Sequence, residues 1–316
     1  MKEIGGYFGL EQMGSASYHS DLLELNTGRN ALAYLIQARG IRKLYIPHFL
    51  CDSVSGVCAR EGCQVASYAI DGDFQPVFPE KMEADSWLYV VNFYGQIPNA
   101  QVAQWKQQWK NLIFDNVQAF FQKPVAGVDT IYSCRKFFGV PDGAYLATDA
   151  EPLNLEADAS RERMQHILGR FETGCASDFY TVFKENDRSF KDLPVRRMSA
   201  LTANLLAALD YDVIREKRNA NWVLLHQALG SRNRLKLIAP DGPYMYPFYC
   251  QNGMEIKKKL AEKKIYIPTL WPNVLEQAAG ELEQDYARNI LPLPVDQRYG
   301  EAEMARIIEE VSKCFN

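Results

Sequence analysis

The stretch from Trp87 to Asp115 reads WLYVVNFYGQIPNAQVAQWKQQWKNLIFD, and its pattern is the clearest indication of the fold of the chain. Trp87–Phe93 is almost entirely apolar, as expected of a strand that is buried on both faces. Val102–Trp109 has a helical pattern, and Asn111–Phe114 is a second short strand that ends at Asp115. A strand, a helix and a strand in this order predict a parallel pair with a crossover helix, which is the unit of an α/β sheet.

The same alternation continues on both sides of this unit. Helical patterns occur at Arg29–Arg39 and Leu50–Arg60. Further short strands are predicted at Lys43–Ile46, Gln64–Ile70, Thr130–Ser133 and Gly143–Ala147. We therefore expect an α/β protein whose large domain has three α/β/α layers, with helices on both faces of a mainly parallel sheet.

The C-terminal third repeats the alternation on a smaller scale. Met198–Leu229 predicts one long helix that bridges two domains, because its interior contains neither Gly nor Pro. Beyond it we predict strands at Pro247–Gln251 and Lys264–Ile267, helices at Met254–Glu262 and Glu301–Cys314, and an extended Leu291–Pro294. Since 316 residues exceed one typical domain, we predict a large domain at 1–225 and a smaller C-terminal α/β domain at 226–316.

Composition and charge exclude several classes of protein. Hydrophobic residues make up 47% and charged residues 23%, which excludes a disordered chain. Lys and Arg total 35 and Asp and Glu total 39, so a net charge of −4 gives no basis for nucleic-acid binding. Polar residues interrupt the charge-free stretch Ser86–Trp105, so we expect no membrane partner. The start, MKEIGGYF, has no apolar core, so we expect a cytoplasmic protein.

Three features carry candidate chemistry. Asp115 ends an apolar strand, where ligands of parallel sheets bind, although Asp is also a common helix N-cap. Gly28 opens a helix after Thr27, so its backbone N–H groups can approach an anion, although a simple turn explains it equally well. Lys136 precedes Phe137–Phe138, and an apolar setting would favour its nucleophilic, neutral form, although a lone lysine is more often a solvated charge.

Together these features are the parts that pyridoxal phosphate needs. Its phosphate needs backbone donors, its aldehyde needs a lysine, and its pyridine nitrogen needs a carboxylate that keeps it protonated. The seven cysteines contain no Cys-x-x-Cys pair and the four histidines are scattered, so we predict no metal site. A Cys–His nucleophile pair with Cys51 or Cys134 is compatible with the spacing, but no motif supports it.

Seven stretches, taken in order, resemble the DegT-type sugar aminotransferases within the fold type I pyridoxal-phosphate enzymes. They are NTGRNAL (26–32), LYIPHFLCDSV (44–54), VNFYGQ (91–96), IFDNVQAFF (113–121), YSCRKFFGVPDGAYL (132–146), LPVRRMSALTANLLAAL (193–209) and LPLPVDQRYGEAEMARIIEEV (291–311). The order and spacing of these stretches are more specific than any single one, and the resemblance covers nearly the whole chain.

The resemblance implies roles for the matching residues. Lys136 would hold the cofactor as a Schiff base and move a proton between substrate and cofactor. Asp115 would pair with the pyridinium nitrogen, and Gln118 would bind near the cofactor's 3-hydroxyl group. Gly28 and Arg29 would bind the phosphate. The resemblance also implies a homodimer in which the two subunits share each active site.

Some positions depart from the family pattern. Cys51 stands where the family usually has an aromatic residue stacked on the cofactor ring. Ser133 lies three residues before Lys136, whereas the family's phosphate-binding Ser commonly lies five before its lysine. Arg196 and Arg197 follow Val195 where the family often has Asn-Tyr-Arg, and one of them is a candidate to reach the neighbouring subunit's phosphate.

The resemblance implies a PLP-dependent aminotransferase that moves an amino group from an amino acid, expected to be glutamate, to a keto sugar, expected to be nucleotide-linked. Tyr7 would line the substrate mouth. Two alternatives stay open. A PLP-dependent sugar dehydratase or lyase is disfavoured by Lys136, because such relatives typically lack the lysine. A non-catalytic binding or regulatory relative is disfavoured by the intact pair of Lys136 and Asp115.

Overall fold

The computed structural model describes residues 4–14, 16–78, 82–276 and 279–315. The strands are β1 (Leu23–Leu25), β2 (Lys43–Pro47), β3 (Gln64–Ile70), β4 (Pro76–Val77), β5 (Trp87–Val91), β6 (Leu112–Asp115), β7 (Asp129–Ser133), β8 (Ala144–Ala147), β9 (Met245–Tyr249) and β10 (Ile290–Pro294). The helices are α1 (Gly28–Arg39), α2 (Asp52–Arg60), α3 (Asn99–Gln108), α4 (Gln165–Thr173), α5 (Tyr180–Ser189), α6 (Ala200–Ala207), α7 (Tyr211–Leu229), α8 (Gly253–Glu262), α9 (Glu281–Asn289) and α10 (Glu301–Ser312).

The main sheet has the strand order β1-β8-β7-β6-β5-β2-β3-β4. The central strands β7, β6, β5, β2 and β3 run parallel, and antiparallel pairs close both edges. Every residue of β6 is buried, so both faces of the sheet are covered there. The predicted α/β class with a mainly parallel sheet is confirmed, although the sequence pattern does not predict the short edge strands β1 and β4.

The register of the central strands brings their carboxyl ends to one edge of the sheet. Asp115 at the end of β6 lies opposite Val91 in β5 and Ile131 in β7. The N-terminus of α1 lies at the same edge, because a Cβ built on Gly28 would be 3.8 Å from Val117 and about 4 Å from Ile131. This edge of the sheet therefore carries the candidate site.

The C-terminal part contains the antiparallel pair β9–β10, in register from Ile290 opposite Tyr249 to Pro294 opposite Met245. A second hydrophobic core surrounds this pair, and it includes Leu225 of α7 and Met304 of α10. Since α7 extends across residue 225, the division into 1–225 and 226–316 stays a prediction. None of the helices within the described ranges combines the length and the apolar character that a membrane crossing requires.

Two local predictions in this part are wrong. The predicted single helix Met198–Leu229 is split into α6 and α7, because the Asp210 side chain accepts a hydrogen bond from Val213 N and caps α7. The predicted strand Lys264–Ile267 does not form: Lys264 has a φ of +57°, and Ile265 N donates to Leu260 O at the end of α8 instead of to a strand. Ile265 is nevertheless buried in the core, so an apolar residue at this position indicates burial and does not indicate a strand.

Candidate active site

Asp115 provides a buried carboxylate at the sheet edge. It is 3% exposed; Oδ1 accepts from Val117 N at 2.8 Å, and Oδ2 accepts from the Tyr89 hydroxyl at 2.6 Å. Burial raises the pKa of Asp115, while the charge of Lys136 and the two hydrogen bonds lower it. No α-helix follows Asp115, so it is not the N-cap that sequence alone allowed.

Lys136 lies in a 3₁₀ turn directly after β7, close enough for its charge to act on Asp115. Phe137 and Phe138 turn into the core, whereas Lys136 is exposed in the single chain, with Nζ 5.8 Å from the ring centroid of Tyr244. The expectation of a desolvated lysine is therefore wrong for the isolated chain. Adjacent side chains in a short turn point in different directions, so the phenylalanines do not enclose the lysine.

The backbone beside Lys136 is fixed by a buried arginine that the sequence analysis missed. Arg218 of α7 is 1% exposed; it donates to Phe137 O at 3.0 Å and to Pro243 O at 2.8 Å. Gln297 also donates to Phe137 O, at 2.8 Å, and accepts from Arg218 Nε. Burial lowers the pKa of Arg218 to about 10. The signal in the sequence is its position on the apolar face of α7, four residues before the buried Trp222.

The start of α1 forms the candidate phosphate cradle. Thr27 caps the helix by accepting from Asn30 N at 3.0 Å, and the first backbone N–H groups of an α-helix have no partner within the helix. Gly28 faces Ser133 at the end of β7, since a Cβ at Gly28 would lie 3.9 Å from the Ser133 Cβ. The start of α1 and the end of β7 are therefore neighbours at this edge of the sheet, and the role of Gly28 in binding a phosphate stays a prediction.

Two arginines flank this cradle. Arg29 lies 3.6 Å and Arg135 lies 3.4 Å from the carboxylate of Asp187 in α5. Arg135 also packs over the Phe190 ring at 4.1 Å, and burial lowers its pKa. Arg135 was not predicted as a site residue; its position next to Lys136 is the only sequence signal for it.

Gln118 lies three residues after Asp115, and Cys51 lies near Tyr89, which is the hydrogen-bond partner of Asp115. The Gln118 side chain is buried, and its Oε1 accepts from Tyr94 N at 2.7 Å, which supports a backbone that has a φ of +55° at Tyr94. Among the described residues, no hydrogen bond uses the amide nitrogen of Gln118, so this nitrogen can donate to a ligand. Cys51 is half-buried next to α2, with Sγ 2.8 Å from Ser53 Oγ. It is too small to replace an aromatic stack.

The residues predicted to contact the substrate or the neighbouring subunit lie away from Asp115 and Lys136. Arg196 is 3.7 Å from both Glu156 and Asp158 of its own chain, and Arg197 is exposed. Arg196 O accepts from Asn26 N, which places this segment just before the cradle. Tyr7 is 98% exposed, and the structure does not bring it to the site.

The residues present fit pyridoxal phosphate. Gly28 leaves open the space that a Cβ would fill, Ser133 and Arg135 lie beside it, and Asp115 supplies a buried carboxylate for a cationic ring nitrogen. Lys136 supplies an accessible amine. A phosphate donor set, an amine and a carboxylate at one sheet edge are the groups that this cofactor requires.

No family model matches the chain, and no curated protein matches it in sequence. Solved structures do match. DesV from S. venezuelae, in complex with a ketimine intermediate, is 15% identical with a TM-score of 0.66; the match covers 92% of this chain and 84% of DesV. NtdA from Bacillus subtilis, with bound PMP, is 16% identical with a TM-score of 0.66, over 92% of this chain and 72% of NtdA.

A third match is a DegT DnrJ EryC1 StrS aminotransferase from Brucella abortus. It is 17% identical with a TM-score of 0.64, and the match covers 92% of this chain and 85% of that one. These three matches establish a common fold. The chain therefore has the three-layer, fold type I architecture of the DegT-type aminotransferases.

Proposed function

We propose that this protein is a PLP-dependent aminotransferase. The observation that carries the proposal is the buried carboxylate of Asp115, which lies within the electrostatic reach of Lys136 and beside the open helix start at Gly28. The similarity in fold between this chain and the Brucella abortus aminotransferase supports the same reaction class.

Each residue has a part in this proposal. When bound, the cofactor supplies an electron-withdrawing ring for the substrate carbon that bears the amino group. Asp115 keeps a positive charge on the ring nitrogen through its own negative charge. Lys136 Nζ would hold the cofactor's aldehyde and, once the donor's amine has displaced it, would be the free base that moves the proton of the substrate carbon. Backbone N–H groups at Gly28 and Arg29, with the Ser133 hydroxyl, hold the phosphate.

The substrates belong to the proposal as well. We propose an amino acid donor, glutamate first, and a keto sugar acceptor carried on a nucleotide, on the basis of the resemblance to sugar aminotransferases. A spectral half-reaction tests the donor: the absorbance of the bound cofactor should change when glutamate is added and change back with the keto-sugar acceptor. A protein that binds the cofactor but gives no half-reaction with any amino acid would instead be the non-catalytic relative.

The decisive experiment is labelling with borohydride. Incubation with pyridoxal phosphate followed by reduction should attach the pyridoxyl group at Lys136, as located by peptide mass spectrometry. The Lys136→Ala variant should lose the label, whereas Lys110→Ala, which changes an exposed surface lysine, should keep it. A label that stays in Lys136→Ala, or that lands mainly on other lysines, would remove the central claim.

We also propose that two chains form a dimer with a shared site. The exposure of Lys136 supports this, because a second subunit over this edge would shield the amine from water. Elsewhere on the chain, the exposed aromatic side chains of Tyr7, Phe8 and Phe171 are further apolar surface for a contact between subunits.

Mixing inactive variants tests the shared site. Lys136→Ala and Arg197→Ala chains should together regain activity, since one site of the mixed dimer would take both intact residues. Arg197 is the better choice than Arg196, because Arg196 already faces two carboxylates of its own chain. Subunit exchange without any regained activity, or a monomer in solution, would contradict the role of Arg197.

A further inference from the structure

The hydroxyl of Tyr89 makes a direct contact with the candidate catalytic carboxylate. Tyr89 lies in β5, next to β6, and is 3% exposed. Its Oη lies 2.6 Å from Asp115 Oδ2, and this is the only hydrogen bond that the described part of the chain gives the phenol. The sequence does not indicate that Tyr89 belongs to the site, because a tyrosine in an apolar strand is expected to pack in the hydrophobic core.

A second buried tyrosine shows that this contact is selective. Tyr68 of β3 is also buried, and it lies close enough to Asp115 for the carboxylate to act on the pKa of its phenol. The Tyr68 hydroxyl, however, donates to Tyr89 O at 2.8 Å and not to the carboxylate. Tyr68 therefore binds the backbone carbonyl of Tyr89, whereas the Tyr89 hydroxyl binds the carboxylate of Asp115.

The chemistry of the pair follows from burial. Burial and the neighbouring carboxylate raise the pKa of Tyr89, so the phenol stays protonated and can donate. With Val117 N on Oδ1 and Tyr89 on Oδ2, each oxygen of Asp115 accepts one hydrogen bond, which fixes one orientation of the carboxylate. A donor on a carboxylate also makes it a weaker base.

We propose that Tyr89 is a positioning residue for Asp115, which orients the buried carboxylate and holds it in its ionised form. The inference rests on the proposed function: toward the ring nitrogen of pyridoxal phosphate, a less basic Asp115 leaves the shared proton on the ring. The other titratable groups that face the pair are Tyr68 from β3, Lys136 from the turn after β7, and Cys51 and Cys58 beside Tyr89.

The test uses two matched variants that each remove one oxygen atom, Tyr89→Phe and the control Tyr68→Phe. The first measurement is made on the protein without cofactor: the pKa of the Asp115 carboxyl, from carbon-13 NMR of labelled aspartate, with the signal assigned through Asp115→Asn. Loss of one hydrogen bond to the charged form should raise this pKa by about one unit in Tyr89→Phe, and by clearly less in Tyr68→Phe.

The second measurement follows the nitrogen-15 signal of labelled pyridoxal phosphate bound to each variant. In Tyr89→Phe it should move toward the value of an unprotonated ring, and kcat should fall more than KM rises. In the background of Asp115→Asn, Tyr89→Phe should no longer move the signal. An unchanged Asp115 pKa in Tyr89→Phe, or an equal rise in Tyr68→Phe, would overturn the proposal.

Failure of the proposed function would give a different result. The wild-type protein would then bind no cofactor at Lys136, while the carboxyl pKa without cofactor would still decide whether Tyr89 acts on Asp115. Thermal unfolding of both tyrosine variants checks that each is folded, since both lose a buried hydroxyl from the same part of the core.

Discussion

Replacing Gly28 with alanine separates the stability of α1 from its capacity to bind a phosphate. The fold tolerates the methyl group, because the nearest atoms to a Cβ at Gly28 lie 3.8–4.0 Å away, at ordinary contact distance. Gly28 is also the first residue of α1. Alanine has less conformational freedom than glycine in the unfolded chain, so the free energy of unfolding should rise by about 0.4–1 kcal/mol, which corresponds to about 1–3 °C in Tm.

The expected effect on the cofactor has the opposite sign. The added methyl group fills the space between α1 and Ser133 into which the phosphate oxygens would come. Loss of one hydrogen bond between a backbone N–H and a charged phosphate costs about 1.5–3 kcal/mol. The dissociation constant for pyridoxal phosphate should therefore rise about 10- to 100-fold.

Gly56→Ala provides the control, since Gly56 is an exposed residue within α2 with no atom within 4 Å of a built Cβ. It should give a similar or larger gain in Tm with no change in cofactor affinity. Differential scanning fluorimetry measures the first quantity, and absorbance titration with pyridoxal phosphate measures the second. A Gly28→Ala protein that binds the cofactor as tightly as the wild type would refute the assignment of the phosphate to this helix start.

Two further predictions concern charged groups. Asp115→Asn should bind the cofactor but lose at least about 100-fold in kcat, because an amide cannot hold the ring nitrogen's positive charge. Unchanged turnover in a stopped-flow assay would mean that Asp115 only stabilises the turn that follows β6, by accepting from Val117 N. His19 is 1% exposed and 2.7 Å from Phe120 O, and burial lowers its pKa to about 4. Between about pH 6.5 and pH 4 the unfolded chain therefore binds the extra proton, so urea unfolding should show stability falling by about 3 kcal/mol as the pH drops through this window. His19→Phe should flatten that slope.

Local sequence patterns predict the central strands of the sheet and the place of the candidate site along the chain. Apolar runs at β5 and β6 and the helical pattern between them depend on local periodicity, which a single sequence displays. The position of Asp115 at a strand end follows from the same pattern, because parallel strands expose their carboxyl ends to ligands. Thr27 and Gly28 likewise follow local rules for the start of a helix.

The side chains that surround those positions depend on how distant segments pack together. The hydroxyl of Tyr89 reaches Asp115 across neighbouring strands, and Arg218 reaches the carbonyl of Phe137 from a helix 81 residues further along the chain. The exposure of Lys136 depends on which way its short turn faces. Such contacts depend on the packing of distant segments, and local periodicity carries no information about which buried hydroxyl or guanidinium will meet which acceptor.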